Sequence, residues 1–203
     1  MTAQRLKFAP SSASEPDETD GRRRRSQDSR ARIVAAMLEL VHAGDVSPGA
    51  EQVAARAGVG LRTVFRIFND MDSLYSEMAQ VIETEIFAVV DSPFAAAGWR
   101  DRVVELVHRR AAVFEKIAPF KRASEIHRHQ SRFLQASHER LISISRDILK
   151  RELPPELARD QQVFESLDLL LSFEAWSRLR RDQDLTPRRA RETLEQAVRK
   201  VIG

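Results

Sequence analysis

The sequence contains no cysteine, which excludes disulfides, thiolate metal sites and a cysteine nucleophile. Glycine is scarce at seven residues, proline stands at eight, and tyrosine occurs once. So little turn-forming and strand-favouring material argues against a turn-rich all-β domain. Long hydrophobic runs are missing as well. The longest stretch free of Asp, Glu, Lys and Arg is the eight residues at 92–99, far short of the roughly 20 that a membrane span needs. No apolar segment follows the N-terminal charges, so no secretory signal is expected. What is present is a chain of 203 residues, 42% hydrophobic and 31% charged, with enough apolar surface for a genuine core. The expectation is an all-α, cytoplasmic protein.

The formal charge is only +3, yet 28 of the 33 cations are arginine. Arginine does not titrate away, and its planar fork pairs with phosphate or with a guanine edge. Its distribution matters more than the total. The first 21 residues mix Glu15, Asp17, Glu18 and Asp20 with Arg5, Lys7, two prolines and a serine-rich stretch. They show no period and read as a disordered tail. Arg22, Arg23, Arg24 and Arg25 follow, so residues 1–25 are expected to be a tail ending in a basic arm. Such a block is either a solvated arm or one that lies along a nucleic-acid backbone.

From Ser26 a helical period begins. Ile33, Ala36, Met37, Leu40 and Val41 form one apolar stripe, and Gly44 is placed to cap it. Ser47-Pro48 reads as a cap followed by proline at the first helical position, with Ala50, Val53, Ala54 and Ala57 turned inward. Gly58-Val59-Gly60 breaks this short helix. A third, over 61–68, is expected to point Val64, Phe65 and Phe68 to the core. Asn69-Asp70 stops it, and Asp70 is suited to cap a fourth helix over 71–91. Four helices in about 65 residues, the middle two short and joined by a glycine turn, have the layout of a helix-turn-helix. Beyond it, 99–117, a long helix from Pro119 to Arg151, 158–181 and 186–202 read as helices separated by prolines.

On the third helix Arg62, Thr63 and Arg66 take the exposed side, and the two arginines, four apart, share a face. Arginines and a hydroxyl after a glycine turn suit a major groove, where arginine reads the O6/N7 edge of guanine. The helix start at Gly60 and Leu61 adds N–H groups that favour a phosphate. Taken alone, paired arginines on a short helix are more often a solvated face; the turn and the adjacent basic block reverse that balance.

The stretch 33–74, with Ala54-Ala55-Arg56-Ala57-Gly58-Val59, then Thr63-Val64-Phe65-Arg66-Ile67-Phe68 and Leu74-Tyr75, resembles the DNA-binding region of the TetR/AcrR family of transcriptional regulators. The resemblance covers about a quarter of the chain. It implies a helix-turn-helix domain over 26–72 and a larger helical domain over 73–203 that dimerises and binds a small effector. Mapped position by position, it makes Gly60, Leu61, Arg62, Thr63, Phe65 and Arg66 the DNA-contacting set, and Arg24 and Arg25 join them from the basic arm. Thr63 stands where the family has a phosphate-contacting threonine. Gly60 replaces the usual serine, Phe65 a common tyrosine and Met71 a common lysine, so three polar groups that serve the family are absent.

The residues support a homodimer independently: 158–181 is apolar on more than one face and 186–202 is amphipathic. Trp99, Phe114, Phe120, Phe133 and Trp176 are the candidates to line an apolar effector pocket, although aromatics at helical spacing are more often plain core. His108, His127, His129 and His138 do not converge with carboxylates at ligand spacing, so no metal is expected. No cofactor is expected either. An enzyme finds no support, since a Gly-rich phosphate loop, His-Glu-x-x-His and Gly-x-Ser-x-Gly are all missing. The expected function is a repressor that binds a palindromic operator and is released by a small molecule. The competing expectation is an architectural protein that binds nucleic acid without sequence preference.

Overall fold

The computed structural model describes residues 18–90 and 92–203. It is all-α among the described residues, with helices α1 (Glu18–His42), α2 (Ala50–Ala57), α3 (Leu61–Ile67), α4 (Met71–Val90), α5 (Trp99–Arg128), α6 (Arg132–Glu152), α7 (Pro155–Arg159), α8 (Gln161–Leu170), α9 (Phe173–Ser177) and α10 (Pro187–Ile202). A π-helical turn over Arg178–Asp182 follows α9. Most of the expected tail lies outside the described residues, but its basic end does not. Arg22 to Arg25 are exposed positions on α1 itself. Arginine is a good helix former, and the buried stripe that begins at Ile33 anchors the helix that these residues extend. The tetra-arginine is therefore part of a helix and not of a flexible arm.

Two hydrophobic cores divide the molecule. The first packs Ile33, Met37 and Val41 of α1 with Val53 and Ala57 of α2, Val64 of α3, Phe68, and Leu74 and Met78 of α4. It also takes in Ile117, Phe120 and Ala123 from the second half of α5 and Leu134 of α6. The second gathers Val103, Leu106 and Val107 from the first half of α5 with Leu149, Phe164, Leu167, Leu171 and Trp176. Ala190, Leu194, Val198 and Ile202 of α10 complete it. Helix α5 thus belongs to both cores. A break at Pro119 was expected, and none occurs, because α5 runs on from Trp99 to Arg128 with the proline inside it. An interior proline costs about 3 kcal/mol relative to alanine. Burial of Ile117, Phe120 and Ala123 just around it outweighs that cost at about 25 cal/mol per Å² of apolar surface. The chain turns later, after His129, where Ser131 caps α6 by accepting from the Leu134 N–H at 3.1 Å.

Segment 158–181 is likewise not one helix. Asp160 accepts from the N–H groups of Gln162 and Val163 and opens α8, and Ser172 accepts from Ala175 N–H and opens α9. These caps redirect the chain, which is why its apolar residues fell on more than one face of a single imagined helix. Ser47-Pro48 does not cap α2 either. The N-cap is Gly49, whose N–H donates to Gln52 Oε1 at 2.8 Å, while Asp45 accepts from Ser47 N–H. The cap at Asp70 is as expected, with Oδ1 accepting from Ser73 N–H at 2.8 Å, and α10 is capped by Thr186 Oγ1, which accepts from Arg189 N–H at 3.3 Å. Gly44 takes φ +104° as α1 ends.

Candidate functional site

The seat of α3 is built from the end of α2. Gly58 adopts φ 62°, ψ 40°, a left-handed conformation that glycine adopts without steric cost. Its N–H donates to Ala55 O at 3.2 Å, and the next N–H, of Val59, to Ala54 O at 3.0 Å, the paired bonds of a Schellman cap. Arg32 of α1 locks the turn from outside, donating to Ala57 O and, at 2.9 Å, to Gly58 O. On the far side of α3, Phe68 is buried under Arg30, whose guanidinium lies 4.8 Å from the ring centroid. Arg30 is held in turn by Glu77 of α4, at 2.9 and 2.7 Å. The short helix is clamped from both ends.

What α3 presents follows from that clamp. Val64 and Phe68, four apart, are the residues that pack inward, at 1% and 2% exposure. Phe65 was expected to join them and does not: it is 47% exposed. One residue is 100° of helical rotation, so a seam through Val64 and Phe68 carries Phe65 out of the core. Arg62, Arg66 and Gly60 are exposed, Leu61 is 38% exposed and Thr63 is half-buried. Neither Arg62 nor Arg66 forms an ion pair with any described residue, whereas Arg30, Arg56, Arg102, Arg140, Arg146 and Arg180 all do. The outer face of α3 is thus an apolar ring and a leucine flanked by two uncompensated guanidiniums. Arg24 and Arg25 are exposed near the start of α1.

A second feature lies between the two cores. A cavity of about 620 Å³, lined by Met78, Ile82, Phe120, Lys121, Leu134 and His138 among others, adjoins one of about 780 Å³ lined by Arg110, Phe114, Lys121, His138, Ile142 and Phe173 among others. Part of each is open to solvent, and both share Ile86, Ile117, Lys121, His138 and Leu141, so they form one cleft between α4, α5 and α6 that reaches α9. Lys121 Nζ lies 3.4 Å from His138 Nδ1 and 5.6 Å from the Phe173 ring centroid. Burial pushes the Lys121 ammonium below the ordinary lysine range, against the raising pull of Glu174 and Glu125. Burial also lowers His138, and the neighbouring Lys121 and Arg128 charges add to the effect. Arg110 donates to Leu171 O at 3.0 Å and to Ser145 O at 2.7 Å, and burial brings its guanidinium down to about 10.

Neither a protein-family model nor a curated protein matches the sequence. Solved structures do. A transcriptional regulator from Streptomyces coelicolor A3(2) superposes with a TM-score of 0.60 at 24% identity, over 85% of this chain and 97% of that one. The multidrug binding protein EbrR, complexed with imidazole, gives 0.59 at 19% identity, over 94% and 97%. A TetR transcriptional regulator from Rhodococcus sp. RHA1 gives 0.54 at 16%, over 87% and 96%. The chain has the TetR-type fold.

Within the TetR-type fold the residues expected at a DNA interface come together on α3, with Arg24 and Arg25 placed on a separate helix, α1. The five aromatics expected at an effector site do not come together. Phe120 and Phe114 line different parts of the cleft. Trp176 is core, 2% exposed, its indole N–H donating to Glu115 at 3.0 Å. Phe133 packs against the first core and Trp99 against the second, the latter covered by the Arg100 guanidinium at 4.4 Å. These side chains are large enough to be claimed first by packing. Lys121 and His138, which line both parts of the cleft, carried no signal as a pair in the sequence, where His138 was weighed only as a metal ligand: they are 17 positions apart on different helices.

Proposed function

We propose that this chain is a DNA-binding transcriptional regulator that acts as a homodimer on a palindromic operator and is released from it by a small molecule. The observation that carries the reading is the outer face of α3, with Arg62, Phe65 and Arg66 exposed behind the Gly58 turn on a TetR-type fold. A helix of this kind fits the major groove, and arginine reads guanine there. The dimer rests on α8 and α10, which pack on each other. Leu169 of α8 is left 65% exposed, the most exposed of the large hydrophobic residues described. A twofold axis through such a pair repeats the reading helix about 34–36 Å away, one turn of DNA. Effector release rests on the cleft between the cores, together with the multidrug binding of one structural neighbour.

Fluorescence anisotropy with the duplex upstream of this protein's own gene, against a scrambled duplex at about 150 mM salt, tests the reading. A preference of about a thousandfold or more is the result expected of a specific regulator. Equal binding to both that collapses with salt would instead identify an architectural protein.

A further inference from the structure

The cleft is lined chiefly by Ile86, Val113, Phe114, Ile117, Phe120 and Leu141, yet a lysine stands in it. A lysine half-buried among such residues normally keeps a carboxylate against it, because an unpaired charge away from water is costly. Among the described residues, no carboxylate comes within the 4.0 Å of an ion pair to Lys121. The acids near by are engaged elsewhere. Glu83 accepts from Ser137 and Arg140, Asp168 from Arg146 at 2.5 Å, and Glu125 pairs with Arg128 at 3.5 Å. Glu174, which acts on Lys121 only through space, is exposed. Arg110 on the same wall has backbone carbonyls as partners and no carboxylate. Arg128, which also lines the cleft, has a buried Nε without a hydrogen-bond partner. The result is a cleft in which Lys121, beside His138, has no carboxylate at ion-pair distance, although Glu83, Glu125, Asp168 and Glu174 also line it.

Resting on the regulator reading above, we infer that the small molecule is an amphipathic organic acid, its anionic group held by Lys121 and His138 and its apolar body lying along Ile117, Phe114 and Leu141. The anion supplies the counter-charge that the fold withholds from Lys121. It also gives His138 a reason to take up a proton. In the free protein that proton is opposed from α5 by Lys121 and Arg128 and favoured by Glu174 of α9 and Glu125 of α5. A bound anion adds to the favouring side, so affinity for the acid rises as pH falls, and a neutral ligand shows no such rise.

The test titrates the full chain by calorimetry with decanoate and with 1-decanol, which share an apolar body and differ in charge. Decanoate is expected to bind about tenfold or more tightly at pH 7.5, and its advantage to grow toward pH 6. Lys121→Met is expected to erase the preference while leaving decanol binding within about twofold, and Lys121→Arg to restore it; a tenfold preference corresponds to about 1.4 kcal/mol. His138→Gln is expected to flatten the pH dependence. Equal affinity for acid and alcohol overturns the inference and leaves a regulator with an apolar effector. Binding of neither overturns the effector half of the regulator reading as well. Loss of both ligands in Lys121→Met without rescue by Lys121→Arg shows that the lysine serves packing, and overturns the assignment. An unchanged pH slope in His138→Gln removes the histidine from the site.

Discussion

Gly58→Ala is the substitution that most directly challenges the seat of the reading helix, and the structure sets its size. At φ 62° a non-glycine residue pays about 1–2 kcal/mol for the left-handed conformation. The added Cβ also lands 2.9 Å from Arg32 Nη2, too close for either group to stay. What gives way is the end of a flexible side chain, so Arg32 withdraws from the carbonyls of Ala57 and Gly58. Hydrogen bonds from a charged donor contribute about 1.5–3 kcal/mol when sheltered; this pair is partly solvated, which reduces the combined loss to about 1 kcal/mol. The total is about 2–3 kcal/mol. Urea denaturation of wild type, Gly58→Ala, Arg32→Ala and the double variant closes a cycle. With Arg32 already removed, Gly58→Ala should cost only the conformational part, so the two substitutions should couple by about 1 kcal/mol. Equal cost in both backgrounds would refute the clamp by Arg32. A cost near zero in either background would refute the left-handed turn itself.

Arg62→Ala should relax specificity at a single base pair by about 1–3 kcal/mol if the residue reads guanine; uniform weakening across sequences would make it a phosphate contact. Replacing Arg22 to Arg25 with glutamine should lower the slope of log affinity against log salt by about 0.9 for each phosphate left without its arginine, and an unchanged slope would exclude that turn of α1 from DNA. Glu105 is desolvated, yet the N–H groups of Ala96 and Ala95 and the guanidinium of Arg109 hold its carboxyl below the ordinary glutamate range. A depressed folded-state value means stability present above the unfolded value and lost as pH falls through the folded one. Glu105→Gln should therefore lower Tm at pH 7 and make progressively less difference in acid, and a pH-independent difference would contradict the ionised clasp. Leu169→Glu should turn a dimer into a monomer in sedimentation velocity at micromolar concentration, and a persisting dimer would move the interface off α8.

The N-terminal half was legible because each of its short helices commits one seam. Ile33, Met37 and Val41, then Val53 and Ala57, then Val64 and Phe68, are spaced for one buried face, and all of them are buried. Gly58 and Asp70 punctuate the chain where backbone and cap geometry require them. The misreading of Phe65 has the same origin: hydrophobicity says that a ring prefers burial, but a seven-residue helix already seated on Val64 and Phe68 has no room for a third inward residue. The C-terminal half was less legible because its helix ends are decided by side-chain caps and tertiary packing. Ser131, Asp160 and Ser172 open helices in segments with ample apolar residues on either side, while Pro119, the loudest local stop signal, is overruled by the two cores that α5 serves. Lys121 and His138 had no pattern to reveal them, since a cleft assembled from facing helices leaves no fixed spacing in any one of them.

That double membership of α5 also links the cleft mechanically to the helices that hold α3. Its last two turns place Lys121, Glu125 and Arg128 on the cleft, while Phe120 stacks on His42 of α1 with ring centroids 6.2 Å apart. His127 lies against Tyr75 of α4 at 4.2 Å. Tyr75 is followed within a turn by Met78, which lines the cleft and is fully buried in the same core as Val64. A ligand that drew α5 toward α6 by bridging Lys121 and His138 would therefore load α1 and α4, the two helices that hold α3 through Arg32 and through Glu77 with Arg30. Close-packed cores shift as units and do not deform smoothly. On that ground, the proposed ligand would change where α3 sits by moving α1 and α4 together, and in the proposed dimer it would change the separation of the two α3 helices. Such a change acts on operator affinity only as far as the ligand prefers one arrangement over the other. The preference that matters is therefore that of Lys121 for an anion in the arrangement where His138 is near.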